Sequence, residues 1–467
     1  MKIVVLWTDA VLFFVLAAVI AYGFKVARTP HLAATWRKAF MRPSGAAAAT
    51  LLAFFVLIGL LDSLHYRPEL SSATGSTAAQ YSPVTYSVLD TILARQADGH
   101  ESSYSAPLAY QSYSKDAMMV DGKTVRVYPR LHFGGELLSD PEHQWARDVA
   151  MRTLAGFASG IALSLLCFSL VARGVARKRH IGLKAGACLV ARGATPSPWR
   201  AVLGTVSAIV VIGSVITALS LEYHVFGTDR VGMDLLYVVL KSIRTAVVIG
   251  TMSTIVTMPI AVGLGITAGY LRGWIDEVIQ YVYTVINSIP YVLLIAASVL
   301  ILMVFIDKNP DRFPTAAQRT DARLFFLCVI LGLTSWTDLC RLIRAEVIKL
   351  RESEYIQAAR AFGVGTWRIL TVHLVPNVMH LILISIAINF SGLVLAEAVL
   401  SYVGVGVDPA MQSFGTLINT SRLELSRQPA IWWTLSTAFV FMFALVLAAN
   451  ILADAIRDAF DPKAIHR

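Results

Sequence analysis

The sequence predicts an all-α polytopic membrane protein, and three observations carry that prediction. Of the 467 residues, 56% are hydrophobic and only 15% charged, a balance suited to a chain solvated largely by lipid. Runs free of Asp, Glu, Lys and Arg occur at 201–221, 245–271, 278–306, 369–396 and 430–453, with shorter ones at 10–24, 43–61, 153–172 and 324–337. A spanning helix needs about 20 largely apolar residues; the last run continues amphipathically through Asp338 and Arg341, so nine spans are expected. Finally, the net charge of +10 is concentrated. Residues 23–45 hold five Lys/Arg and residues 173–200 hold seven, with no acid in either segment. Both segments adjoin apolar spans, so positive-inside topology in a lipid bilayer accounts for the charge, and no nucleic-acid partner is expected.

Span 1 (about 5–24) reads as a retained span. Its leading region carries only Lys2, Asp9 interrupts the apolar run, and the positive charge follows the run, unlike a cleaved signal peptide. Span 2 (about 45–62) leads into an external segment, and the two form regions 1–64 and 65–150. The external segment contains seven tyrosines and a hairpin signal at Met119–Val125, where Asp121-Gly122 favours a type I′ turn. Tyrosine offers amphipathic contact area at low entropic cost, which suits a small recognition lobe. Region 151–199 holds span 3 and a basic loop, and 200–467 holds six further spans. With both basic segments in the cytoplasm, the N-terminus and the lobe are expected outside, on what in a bacterial inner membrane is the periplasmic side, and the C-terminus inside. No cysteine falls in 65–150, so no external disulfide framework is expected.

Within the spans, Gly265 and Gly269 stand four apart, a spacing that lets helices approach closely. Pro259 and Pro290 are expected to kink spans 5 and 6. Asp338 and Arg341 can pair on one face of span 7. Ionisable or amide groups inside a membrane are costly and tend to face an interior. Asn389 and Glu397 on span 8 are therefore the candidates for a translocation pathway, Glu397 as a contact for a substrate ammonium. His373 and His380 lack ligand partners at metal spacing, so no metal site is expected.

The most informative stretch is Glu354-Tyr-Ile-Gln-Ala-Ala-Arg-Ala-Phe-Gly363, answered by Val375-Pro376-Asn377. It reads as a short polar helix between two spans, about nine residues and roughly 13 Å long. Glu354 favours the helix dipole in the first turn, and Ser353 can act as N-cap. Tyr355, Ala358, Ala359 and Phe362 fall on one face. Gly363 suits the left-handed residue that ends a helix.

This pattern resembles the coupling loop of permease subunits of ABC importers, and closely the dipeptide/oligopeptide/nickel branch. The resemblance spans roughly 220–462. It begins with Phe226-Gly-Thr-Asp-Arg-Val-Gly-Met-Asp234 and continues through Gly273-Trp-Ile-Asp-Glu277, Arg341, Arg344, Glu346, Leu395-Ala-Glu-Ala398 and Gly404-Val-Gly406. Arg457-Asp-Ala-Phe-Asp-Pro462 closes it. Two positions depart: Gln357 stands where Glu is usual, and Met233 where Arg is usual.

The resemblance implies a type I ABC importer fold in a bacterial inner membrane, extended by three N-terminal spans and the lobe. It implies that Glu354, Tyr355, Gln357, Ala358, Ala359, Phe362, Gly363 and Pro376 serve coupling to an ATPase. The implied partners are a second permease subunit, two ATP-binding cassette subunits and a periplasmic substrate-binding protein. The implied cargo is peptides or peptide-like solutes, with nickel chelates, glutathione or peptide antibiotics as alternatives. The chain has no GxxxxGK[ST] word, so ATP and Mg are expected on partner subunits and no cofactor here. It has no HExxH or GxSxG word either, which argues against a protease or esterase. An ATP-independent secondary transporter would call for acidic relays, and the charge-free runs of spans 5 and 6 contain none.

Overall fold

A computed structural model describes residues 2–69, 81–120, 123–313 and 315–460. Among these, nine helices are long and apolar enough to cross a membrane. Spans 1 to 4 are Trp7–Arg28, Pro43–Ser63, Pro141–Arg179 and Trp199–Ser220. Spans 5 to 9 are Leu235–Leu271, Tyr291–Lys308, Ala316–Arg351, Thr366–Val403 and Trp433–Phe460. Each expected span finds its helix, and the fold class is all-α polytopic.

Span 5 is the axis of the core. Val238, Ile243, Val248 and Ile249 on it are fully buried, and it packs against spans 2, 7, 8 and 9. A helix apolar on every side is stable only when surrounded. Its glycine pair lets span 7 approach closely: a Cβ on Gly265 would lie 2.9 Å from the Cys340 carbonyl oxygen, and one on Gly269 2.8 Å from that of Arg344. The pair is thus a helix-packing face. Gly156 and Gly160 do the same for span 3 against Val215 and Val211 of span 4.

The two prolines act differently. Pro259 sits inside span 5 without interrupting it. Pro290 ends one helix, Trp274–Ser288, and caps the next, Tyr291–Lys308, with Ile289 in extended conformation between them. The long span 6 read from 278–306 is therefore two helices, because proline lacks an N–H and bars its predecessor from helical geometry. Span 7 likewise divides into Ala316–Thr334 and Thr337–Arg351.

The N-terminal extension wraps this core. Span 2 packs against spans 4, 5 and 9, span 1 against spans 5 and 7, and span 3 along span 4. The first basic segment contains a helix of its own, Pro30–Met41. It lies on the end of span 9, where Trp36 meets Phe460 edge-on at 5.3 Å and Arg42 pairs with Asp458.

At the opposite end the lobe builds an antiparallel sheet from Lys2–Val4, His65–Arg67 and Tyr86–Ser87. The N-terminus therefore lies on the lobe's side. Strands Asp116–Val120 and Lys123–Val127 form the expected hairpin, pairing Val120 with Lys123, while its Asp121-Gly122 turn lies outside the described residues. The lobe closes at the span 3 helix, which begins at Pro141 rather than after 150. Several lobe tyrosines are spent on packing: Tyr104 is buried, Tyr110 lies beside Trp145, and Tyr113 meets Trp433 edge-on at 4.8 Å. Tyr81, Tyr86 and Tyr128 remain exposed.

The lobe is sewn onto the loop between spans 4 and 5. His224 bonds Asp234 at 2.8 Å and Glu101 at 3.4 Å. Thr228 Oγ1 accepts from the Ser105 amide, and Trp433 Nε1 donates to the Thr228 carbonyl. Burial disfavours a charged ring at His224, but the hydrogen bonds to Asp234 and Glu101 outweigh it and raise its pKa to about 9.

Candidate functional site

The loop between spans 7 and 8 carries the helix Glu354–Ala361. Its start differs in detail from the expectation. Ser353 has the extended N-cap backbone, yet its hydroxyl donates back to the Leu350 carbonyl and makes no side-chain cap. Gln357 Nε2 donates to the Glu352 carbonyl at 3.1 Å, so this residue is engaged with its own loop.

The helix end follows the glycine rule closely. Gly363 has φ +70°, its N–H donates to Arg360, and the Val364 N–H donates to Ala359. These two bonds form a Schellman motif, which satisfies the last carbonyls and turns the chain sharply.

One residue anchors the helix. Ile356 is fully buried in an apolar cluster with Ile266 of span 5, Val347 of span 7 and Leu374. The other faces are open. Tyr355, Gln357 and Ala358 are exposed and Ala359 half-buried, while Phe362 is 86% exposed. Trp367, which the motif reading missed, is 76% exposed just beyond the glycine. Its signal was present as an apolar residue in a polar loop. Two large rings thus stand exposed at a sharply terminated helix.

The second half of the motif is bonded to the first. Asn377 Nδ2 donates to the Tyr355 hydroxyl at 3.1 Å and to the His373 carbonyl at 2.7 Å. The His373 ring lies beside that of Tyr355. Pro376 opens the Val375–Val403 helix immediately after a π-helical turn, Ile369–Leu374. The wider turn spares the proline ring the usual clash with the preceding turn. Further ties reach spans 5 and 7. Arg272 meets Glu352 at 3.5 Å, and Arg344 grips Asp276 with two bonds of 2.6 and 2.7 Å. Those bonds hold the Asp276 carboxyl below the usual carboxylate range. Asp338 and Arg341 pair on the exposed face of span 7.

The pathway candidates separate. Asn389 is half-buried on span 8. Glu397 is 1% exposed, and its Oε1 accepts from Ser401 at 2.7 Å and Ser413 at 3.0 Å. Gly415 covers it so closely that a Cβ there would stand 2.9 Å from Oε1. Glu397 thus joins span 8 to the following loop, and the expected substrate contact does not fit this closed position.

The loop thus presents an open, glycine-stopped helix anchored between two spans. Residues 261–466 match the family described as binding-protein-dependent transport system inner membrane component, and the chain belongs to that family. It is a multi-pass inner-membrane permease. Oligopeptide transport system permease protein OppC of Mycobacterium tuberculosis is 33% identical over 239 residues, 51% of this chain and 76% of that protein. Dipeptide transport system permease protein DppC of Bacillus subtilis is 30% identical over 51% of this chain and 69% of its own length. Glutathione transport system permease protein GsiD of Pectobacterium atrosepticum is also 30% identical, over 51% and 73%. Among solved structures, the inward-facing MetNI methionine ABC transporter aligns with 49% of this chain and 98% of that chain, at TM-score 0.37 and 16% identity.

Proposed function

We propose that this chain forms half of the translocation pathway of an ATP-driven importer for peptides or peptide-like solutes. The observation that carries the coupling role is the exposed Glu354–Ala361 helix, held by Ile356 and the Tyr355–Asn377 bond. In this reading two ATP-binding cassette subunits hold ATP and Mg and seat the face of Tyr355, Ala358, Ala359 and Phe362 in a groove. Glu354 and Gln357 contribute polar contacts at its start, and Gly363 and Pro376 set the geometry of its two ends.

When the ATPases close, the helix is pushed as a unit. Its ties to spans 5, 7 and 8 pass the displacement on as rigid-body rocking, which alternates access to a cavity shared with a second permease subunit. Asn389 is the residue assigned to that cavity. The N-terminus and lobe face the periplasm, where a substrate-binding protein delivers cargo, and the C-terminus faces the cytoplasm. The relatives named for oligopeptide, dipeptide and glutathione transport support peptide cargo.

Purification of the tagged full-length chain from its native membrane tests this reading. Two ATPase subunits and a second permease are expected in stoichiometric amounts. A chain that transports peptide after purification without any ATPase would overturn it.

A further inference from the structure

We propose that the groove between the first turns of spans 2 and 4 binds an anionic phospholipid. Its acyl chain would fill the apolar slot and its phosphate would meet the arginines at the rim. The groove measures about 420 Å³ and is walled by Ala46, Ala49 and Ala53 on span 2 and by Trp199 and Val202 on span 4, with Phe40 at its mouth. The three alanines recur at helical spacing, so their small side chains leave a trough along one face of span 2. Both spans begin at this end, which places the slot where a lipid tail enters the hydrocarbon layer. Phe40 and Trp199 are partly exposed at its edge, the depth at which aromatic rings gather in a bilayer.

Charge selects the headgroup. Arg42 is the residue immediately before span 2, and Arg200 is the second residue of span 4; both are exposed. Neither span has an acid in its first turn. Arg37 and Lys38 stand exposed on the Pro30–Met41 helix that supplies Phe40. Beside this rim Arg42 pairs with Asp458 of span 9. Residues 23–45 and 173–200, the segments that lead into the two spans, carry twelve Lys/Arg and no acid, while the wall of the groove is largely apolar. A basic pocket between spanning helices suits an anionic headgroup. A free phosphate would leave the slot empty, and a zwitterionic lipid would bring its own cation up against the exposed arginines beside its phosphate.

The test uses the complete transporter, purified in mild detergent and exchanged into vesicles of phosphatidylglycerol or of phosphatidylcholine. Native mass spectrometry should show retained phosphatidylglycerol in clear excess. Ala49→Trp, which fills the slot, should remove that retained lipid. Arg37→Gln with Arg200→Gln should keep the lipid but lower the preference about fivefold for each arginine. Equal retention of both lipids, or unchanged retention in Ala49→Trp, would overturn the proposal. A photo-crosslinking residue at Val202 in otherwise native protein avoids reliance on a folded variant. Capture of phospholipid supports the site, and capture of a second permease subunit refutes it.

Discussion

The loop helix at one end of the molecule and the seam between the extension and span 5 near the other are opposite solutions to placing polar residues in a membrane protein. At the loop, polarity is local and wet. Neighbours in sequence satisfy one another through the Schellman bonds of Gly363 and Val364, and a single side chain, Ile356, enters the core. At the seam, polarity is distant and dry. Arg244 of span 5 bonds Asp9 at 2.5 Å, Thr8 at 3.2 Å and Ser63 at 3.1 Å, drawing together spans 1, 2 and 5. His65 bonds the other oxygen of Asp9 at 2.8 Å, and Asp321 of span 7 accepts from Thr8. One turn before Arg244, Lys241 reaches Asp90 of the lobe at 2.7 Å and Asp62 at 3.5 Å. The contrast teaches which parts can move: a surface helix held by one anchor and a few polar ties can be pushed by a partner, whereas a buried ionic knot resists any relative sliding of its members.

The sharpest way to break the comparison is at the knot. Asp9→Ala leaves the Arg244 guanidinium buried without its carboxylate, which costs about 3–5 kcal/mol. Most of the folded protein should be lost from detergent extracts, and this should be visible as a collapse of the monodisperse peak in size exclusion. Unchanged yield and thermal stability would show that the extension is only loosely applied.

The lobe's own buried link is set by pH. His224 has a folded pKa of about 9, raised above the ordinary 6.5. Its stabilisation is therefore fully present below about pH 6.5 and is lost as pH rises through about 9, on the order of 3 kcal/mol in total. Limited proteolysis should cut the lobe progressively faster from pH 7 to 10, and His224→Gln should flatten that dependence.

The loop should respond in function more than in stability. A Cβ at Gly363 meets no atom within 4 Å, so Gly363→Val is penalised by backbone strain alone, about 1 kcal/mol or more. Normal membrane insertion with loss of substrate-stimulated ATP hydrolysis is expected. Full uptake in a well-expressed Gly363→Val protein would sink the coupling assignment. The smallest effect belongs to Gln357→Glu. Gln357 is exposed and bonds only its own loop, so transport rates should stay within about twofold, as for surface changes near ±0.5 kcal/mol.

What the sequence determined by itself is whatever depends on neighbours along the chain. Apolar runs long enough for a bilayer set the nine spans, and the spacing of Tyr355, Phe362 and Gly363 set a short helix with a sharp end. Each follows from periodicity and backbone chemistry within a dozen residues.

The Ser353 hydroxyl had two acceptable partners and took the carbonyl behind it. Pro290 broke a helix that Pro259 did not. Glu397 gave the signal of a pathway residue, an acid in an apolar run, but burial against Ser413 and Gly415 closed it off.

The tertiary structure alone decided the pairings across long separations. Span 5 extends well ahead of its charge-free run and takes in Lys241 and Arg244, two cations that by sequence look like a polar flank. Their partners lie hundreds of positions away or in the lobe, and a charge becomes a buried structural element only where the fold delivers its counterion. Composition can count such charges, but only packing decides which of them meet.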